Sequence, residues 1–190
     1  MMRRSFAFTY PCPRKLREIV KLTLFEKENS STIKAIWNDY HLKRPQNVST
    51  LITAHQFEVF QRRSQASPFF IFPLPRKGGH FVLLCQTQGK SNLFTYLEDY
   101  KRNPESSTPY FVLTLFDELI PKKGVVPVRG DIIDFKIAKT EAEVLMKAFL
   151  AYYIEGELYE DWVHVFNNQP DRFKIDQFMK SYFERFGVNG

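Results

Sequence analysis

The spacing of apolar residues changes twice along the chain, and this change limits the folds that are available to it. Near both ends, apolar residues recur every three or four positions, as on one face of a helix. Between residues 69 and 133 they instead form short runs separated by turns that contain glycine or proline. Helices around a central block of strands are typical of an α+β protein. We expect an antiparallel or mixed sheet of about five strands, packed against N-terminal and C-terminal helices.

Local signals place the helices. The first should follow Pro13, end near Lys27 and form an αα-hairpin with a second helix. Asn29, Ser30 and Ser31 offer oxygens that can cap this second helix, and Pro45 stops it. Thr53 can cap a third helix. Near the C-terminus, Thr140 and Glu143 match a T-x-x-E capping box, residues 154–169 have a looser pattern, and Pro170 opens a final helix.

A short extended piece at 48–52 precedes the central block of strands. We expect the five strands at 69–74, 81–88, 93–97, 110–116 and 124–133. Pro127 lies inside the last of these runs, and a proline there favours an edge position or a bulge.

The sequence contains no motif of a familiar catalytic or cofactor site. The patterns GxGxxG, GxxxxGK[ST], GxSxG and HExxH are all absent. Cys12 and Cys85 have no CxxC spacing and indicate two unrelated free thiols. The sequence leaves open a dyad of Cys85 with a histidine such as His164, because such partners meet only in space. We therefore predict a protein that is not an enzyme and that binds no cofactor or metal.

The charge distribution favours a protein partner. The formal net charge is +6, with a basic first part and an acidic segment from residue 140 onwards. A basic pI of about 9.3 and aromatic strands also suit an alternative, a basic nucleic-acid-binding module. The acidic C-terminal segment argues against that alternative. No run of about 20 apolar residues occurs, so we expect no insertion into a membrane.

The most distinctive local feature is the turn at residues 73–79, with the sequence PLPRKGG. Its prolines stiffen it and its glycines let it reverse, so that Arg76 and Lys77 should lie at a rigid tip. Cations held in place in this way cost little entropy to use in binding. A solvated hairpin turn explains the same residues equally well.

Several segments, in the same order along the chain, resemble one known family. They are KLREIVKL at 15–22, IWNDYH at 36–41, FPLPRK at 72–77, FT at 94–95 followed by Leu97, LT at 113–114 followed by Leu119, KGVV at 123–126 and RGDI at 129–132. The chain is similar here to the mitochondrial assembly factors of the catalytic F1 sector of ATP synthase, which chaperone the beta subunit. The resemblance runs from about residue 14 to about residue 153.

The resemblance implies a mitochondrial matrix protein, a monomer when free, that binds unassembled beta subunit and prevents its aggregation while the catalytic hexamer forms. The stretch it covers gives an assembly-factor domain at 14–153. The final helices match nothing in the family, and from the residues themselves we expect a flexible N-terminal segment at 1–13 and a C-terminal helical extension at 154–190 packed on the same domain. We expect an exposed aromatic strip of the sheet and the stiff turn to contact the client, although the two aromatic residues of the strip can also be read as core. The candidate residues are Pro73, Leu74, Arg76, Lys77, Phe94 and Tyr96.

Overall fold

The computed structural model describes residues 14–187, so the segment expected to be flexible at 1–13 lies outside the described residues. The strands are β1 (Asn47–Thr53), β2 (Phe69–Arg76), β3 (Gly79–Gln88), β4 (Ser91–Tyr96), β5 (Pro109–Leu115) and β6 (Val125–Ile132). The helices are α1 (Leu22–Phe25), α2 (Ser30–Leu42), α3 (Ala54–Ala66), α4 (Leu97–Arg102), α5 (Ile120–Lys123), α6 (Lys139–Ile154), α7 (Gly156–Leu158), α8 (Val165–Asn168) and α9 (Ile175–Phe186). In the part of the chain described, no helix is long and apolar enough to cross a membrane.

All six strands form one antiparallel sheet in the order β1-β6-β5-β4-β3-β2. The predicted α+β class with an antiparallel sheet is therefore confirmed. The sheet has one strand more than the five expected, because the short extended piece at 48–52 pairs with β6 over its whole length. The strand pairs β2–β3, β3–β4, β4–β5 and β5–β6 join neighbours in sequence. Strand β1 pairs instead with β6, the last strand in sequence, so the connection from β1 through α3 to β2 runs from one edge of the sheet to the other.

The main core lies between the sheet and the helices α3, α6 and α9. Aromatic rings fill it: the ring of Phe72 lies 5.4 Å from that of Phe94 and 6.0 Å from that of Phe149 in α6. Phe178 and Tyr182 of α9 belong to the same hydrophobic cluster. The C-terminal helices therefore pack directly on the sheet.

A second, smaller core lies on the opposite face of the sheet. Val125 and Val126 are neighbours in β6 yet belong to different clusters, as expected when successive side chains of a strand point to opposite faces. Helix α2 covers this second face through Ile33 and Trp37, and the indole N–H of Trp37 donates to the carbonyl of Val128 at 3.1 Å.

The predicted first helix is wrong in its extent. The structure has a 3-10 turn at Leu16–Glu18, a break, and the short helix α1. Leu16 and Phe25 are both buried in the second core. Nine positions apart on a continuous helix, at about 100° per residue, they would point in opposite directions. The chain must break between them for both to reach the same cluster.

The predicted edge position or bulge at Pro127 is also wrong, since β6 is flanked on both sides by β1 and β5. Pro127 pairs with Leu51 in β1, and its carbonyl accepts a bond from Phe116 N–H at 2.9 Å, on the β5 side. The N–H and C=O of one residue in an antiparallel strand point to the same neighbour. The N–H that proline lacks would therefore point past the end of β5. The hydrogen bonds between β6 and β1 are all kept.

Three helical details differ from expectation. Helix α4 begins at Leu97, the residue expected to end the strand at 93–97. Helix α6 begins at Lys139, and Glu141, rather than Glu143, reaches back to accept from the Ala138 N–H at 2.9 Å. The looser segment expected at 154–169 is helical over most of its length, with a π-helical turn at Tyr159–His164.

Candidate interaction surface

The stiff turn is shorter than its sequence suggests. β2 continues through both prolines to Arg76, and the chain reverses at Gly78, whose φ of 84° suits glycine. Two prolines fit here because β2 is an edge strand. Pro73 and Leu74 are buried, whereas Arg76 and Lys77 are exposed. Of the predicted turn at 73–79, the residues from Pro75 onwards are therefore accessible, and Arg76 and Lys77 are its only charged side chains.

Arg76 is a braced residue and not a free cation. Its guanidinium binds the carboxylate of Glu141 in a two-point contact, and Nη2 also donates to the carbonyl of Lys136 at 2.8 Å. This bidentate geometry is a favourable one for an arginine and a carboxylate. Arg76 therefore ties the β2–β3 hairpin to the loop that joins β6 to α6.

The exposure expected for Phe94 is contradicted, because its side chain is 0% exposed. Its ring packs 5.3 Å from Phe111 and 5.6 Å from Phe149. Phe94 faces the side of the sheet that α6 covers. The reading of Phe94 as a core residue is therefore the one the structure has, and no exposed aromatic strip can include it.

Tyr96 is half-buried and lies in a small aromatic ladder that the sequence did not reveal. Its ring stacks on Phe81 at 4.4 Å with an interplanar angle of 8°, and Tyr110 lies 6.2 Å away. The Arg76 guanidinium lies 5.2 Å from the centroid of Phe81, and the Lys136 ammonium 5.1 Å from that of Tyr110. Phe81 therefore contacts both Arg76 and Tyr96, and these two candidate residues lie close together.

Two residues of this region, Tyr110 and Lys136, keep their protons at neutral pH. Burial raises the pKa of Tyr110, and its hydroxyl donates to Asp99 at 2.8 Å, which raises the pKa further. The Lys136 ammonium bonds the same hydroxyl at 3.3 Å, and this contact raises the pKa of Lys136. Tyr110 stays neutral and Lys136 stays charged.

Beside this ladder, the loop at residues 133–138 presents Phe135 to solvent with 81% of its side chain exposed. The loop is held by bonds from the N–H groups of Ile133 and Asp134 to the carbonyl of Tyr110, at 2.9 and 3.2 Å. Asp134 in turn accepts from the N–H of Lys136 at 2.9 Å. A phenylalanine so exposed on a loop so well bonded has the form of a binding anchor.

A second apolar residue lies at the neighbouring end of α2. Leu42 is 70% exposed. The Lys139 ammonium donates to the carbonyls of Leu42 and Arg44 at 2.8 and 3.0 Å and so joins the end of α2 to the start of α6. We name these residues the Phe135 surface: apolar Leu42, Ile133 and Phe135, with the cations Arg76, Lys77, Lys136 and Lys139 around them.

The IWNDYH segment has a buried half and an exposed half. Trp37 and His41 are buried; the His41 Nδ1 lies 2.7 Å from the carbonyl of Trp37, and burial lowers the pKa of His41. Ile36 and Tyr40 are 43% and 37% exposed. The buried half builds the second core, and only the exposed half can contact a partner.

Cys85, the thiol of the dyad that the sequence left open, is poorly placed to act as a nucleophile. Cys85 is buried, and burial raises the pKa of its thiol well above the usual value, which disfavours the nucleophilic thiolate. Residues 14–187 contain no group of three or more His, Cys, Asp or Glu side chains that could hold a metal ion.

Curated relatives carry names that agree with one another. The chain is 26% identical over 163 residues to the human "ATP synthase mitochondrial F1 complex assembly factor 1" and 24% identical to the mouse protein of the same name, with 85% of this chain covered in each case. It is 27% identical over 135 residues to "Protein atp11, mitochondrial" of Schizosaccharomyces pombe, with 67% of this chain covered. The chain spans about half the length of these relatives, 49%, 50% and 46% respectively.

A sequence model of one family extends over nearly the whole chain. It matches residues 9–179, a longer stretch than the one of about 14–153 that contains the resembling segments. Because this match covers far more than half of the 190 residues, the chain belongs to the ATP11 protein family, the F1 ATP synthase assembly factors.

Proposed function

We propose that this protein is a chaperone that binds unassembled beta subunit of mitochondrial ATP synthase F1 and prevents its aggregation while the catalytic hexamer is built. The names of the human and mouse relatives support a role in F1 assembly, and the family suggests a role without catalysis. We place the protein in the mitochondrial matrix, where this assembly would require it, and as a monomer when free.

The observation that carries the proposal is the Phe135 surface. Subunits that are made for a permanent complex carry large apolar interfaces, which aggregate when they are left bare. A holding protein needs an apolar anchor that is exposed before the client arrives. Phe135, at 81% exposure on a bonded loop, meets this requirement.

The cations around Phe135 give the surface a polar rim. Lys77 is exposed, and Lys136 is held over Tyr110 and extends into solvent. Rim charges accelerate and orient encounters more than they add affinity. Such a rim suits a holder that must also let its client go, because release depends mainly on the dissociation rate.

The candidate residues from the sequence take different roles in this proposal. Arg76, Lys77 and Tyr96 lie at or beside the contact surface. Pro73 and Leu74 stiffen the strand that carries Arg76 and do not themselves contact the client. Phe94, being buried, belongs to the core that supports them.

We keep residues 14–153 as the assembly-factor domain and 154–190 as a helical extension packed on it. Phe178 and Tyr182 support this arrangement, since both lie in the main core with the sheet. The nucleic-acid alternative gains no support from the sheet, because a base-stacking platform needs exposed rings and both Phe94 and Phe111 are buried.

The test is capture of isolated beta subunit. Tagged chain is mixed with beta subunit at a one-to-one ratio, complexes are recovered through the tag, and light scattering follows aggregation of the beta subunit during warming. We expect a recovered complex and suppressed scattering. Scattering equal to that of beta subunit alone, together with no recovered complex, would overturn the proposal.

A further inference from the structure

The two edges of the sheet differ in how their outward backbone groups are used. Alternate residues of an antiparallel edge strand bond inward, and the residues between them point their N–H and C=O outward. In β2, the carbonyl of Pro68 accepts from Thr87 N–H at 2.8 Å, so even-numbered residues bond to β3. Phe69, Ile71, Pro73 and Pro75 therefore face outward, and Ile71 is only 5% exposed.

The β2 edge is closed to a further strand. The Phe69 N–H donates to Asn167 Oδ1 at 3.1 Å, and Asn167 Nδ2 donates back to the Phe69 carbonyl at 2.5 Å. Pro73 and Pro75 have no N–H to offer. Prolines and covering segments are the usual means by which proteins protect an exposed sheet edge.

The β1 edge is open. The Ala54 N–H donates to Gly124 and the Gln46 carbonyl accepts from Ile132, at 2.8 and 2.9 Å, so even-numbered residues of β1 bond inward to β6. Ser49 and Leu51 therefore point outward. Within residues 14–187, their backbone N–H and C=O groups have no hydrogen-bond partner.

The opening has defined ends. On one side of it, the Asn47 N–H is taken by the carbonyl of Arg44 at 3.2 Å. On the other, the Thr53 N–H donates to Gln56 Oε1 at 2.9 Å, as part of the cap of α3. The free stretch therefore spans three residues, 49–51, whose backbone can bond one short extended segment.

A groove of about 670 Å³ lies next to this opening, between β1 and α6. Its floor is mainly apolar, with Ile52, Met146 and Leu150 each less than 10% exposed. The ion pair of Arg185 with Glu155, at 2.5 Å, lies at its lining. A groove between an edge strand and a helix is a known way to bind an extended peptide, with main-chain bonds for affinity and pockets for alternate side chains.

We infer that an extended segment of the client adds to β1 as a seventh strand, with every second side chain in the groove between β1 and α6. This inference rests on the proposed function, since the client is the unassembled beta subunit. The chemistry of the site selects a polypeptide main chain, because unpaired donors and acceptors alternate along the edge at Ser49 and Leu51. It selects apolar residues at the positions that face Met146 and Leu150.

The first test compares Ser49→Pro with Ser49→Ala. The Ser49 N–H points outward, so proline removes this donor without breaking a bond to β6, and it places its ring where the added strand would lie. Both variants lose the hydroxyl bond to Asn38 Oδ1 at 3.1 Å. Capture of beta subunit should weaken about tenfold for the proline variant, as expected when a buried acceptor loses its donor, and stay within about twofold of wild type for the alanine variant.

The second test is amide hydrogen exchange of the unmodified chain, with and without beta subunit. The amides of Ser49 and Leu51 should gain protection on binding, whereas those of Val48 and Thr50, already bonded to β6, should change little. This measurement decides the question even where Ser49→Pro fails to fold.

The outcomes separate the two proposals. If the wild-type chain captures beta subunit while Ser49→Pro captures it equally well and both amides remain unprotected, strand addition is wrong and the proposed function stands. If the wild-type chain captures none, the proposed function fails and this inference with it. Self-association of the free chain that Ser49→Pro abolishes would instead assign the β1 edge to a second copy of the chain.

Discussion

Replacing Phe135 with alanine tests the proposed client surface most directly. The side chain is 81% exposed, so its removal should leave the free energy of unfolding within about 0.5 kcal/mol of wild type. A phenylalanine offers roughly 200 Å² for burial, of which about 160 Å² is open here. At about 25 cal/mol per Å², full burial against a client would contribute about 4 kcal/mol.

Part of that contribution is lost to imperfect cover and to ordering at the interface. We therefore expect Phe135→Ala to weaken capture of beta subunit by about 2 kcal/mol, or about 30-fold. The assay is titration of immobilised beta subunit, with urea denaturation run in parallel. Ile175→Ala is the matched control, because Ile175 is a similarly apolar residue, 46% exposed, on α9. Capture by Phe135→Ala at wild-type strength, or equal losses for both variants, would refute the reasoning.

Three further changes test the fold that supports this surface. Gly130→Ala should lower the free energy of unfolding by about 3 kcal/mol, since the new Cβ would lie 2.5 Å from Phe111 Cζ; urea denaturation measures it, and an unchanged midpoint would contradict the packing described. His41 should make the protein less stable at pH 5.5 than at pH 7.5. Burial lowers the pKa of His41 in the folded state. Below the ordinary pKa of about 6.5, the unfolded chain therefore binds a proton that the folded chain does not, and this favours unfolding. His41→Asn should flatten that dependence in thermal melts, and an unaltered slope would count against it. Asn167→Ala should cost about 1–3 kcal/mol by freeing the backbone of Phe69 and should increase self-association in sedimentation experiments; a monomer of wild-type stability would show that the edge needs no cover.

Local signals in the sequence were sufficient where one side chain decides the structure. Asn29, one of the three cap residues that the sequence offered, accepts from the Thr32 N–H at 2.9 Å and starts α2. Thr53 and Gln56 cap α3 in the same way. In α6, the acids Glu141 and Glu143 both suit a cap, and the contact of Glu141 with Arg76, 65 residues away, is absent from any local window.

The predicted exposed aromatic strip was wrong at Phe94 because β4 is buried on both of its faces. Leu93 and Phe94 are neighbours in β4, and both are buried, at 2% and 0% exposure. A strand with one solvated face alternates between apolar and polar residues, and this alternation shows which side is accessible. Without it, sequence alone could not assign Phe94 to the core or to the surface.

The residues missed by sequence reasoning belong to the ladder and to the loop. Phe81 and Tyr110 lie in different strands, and only the pairing of β3, β4 and β5 places them beside Tyr96. Phe135 follows Ile132 and Ile133 and reads as a continuation of that strand. The one available signal was its position between Asp134 and Lys136, since a phenylalanine flanked by opposite charges is more typical of a surface loop.

The closed edge of β2 also imposes an order of events on folding. Phe69 is sealed by Asn167, which comes 98 residues later in the chain. A chain that is synthesised or threaded through a membrane from its N-terminus can pair β2 with β3 long before Asn167 arrives. During that interval the outward backbone N–H and C=O of Phe69 have no partner, and the β2 edge is exposed to pairing with another chain. Helix α8 therefore covers this edge only late in folding, and folding intermediates that lack it should depend on chaperones to avoid aggregation.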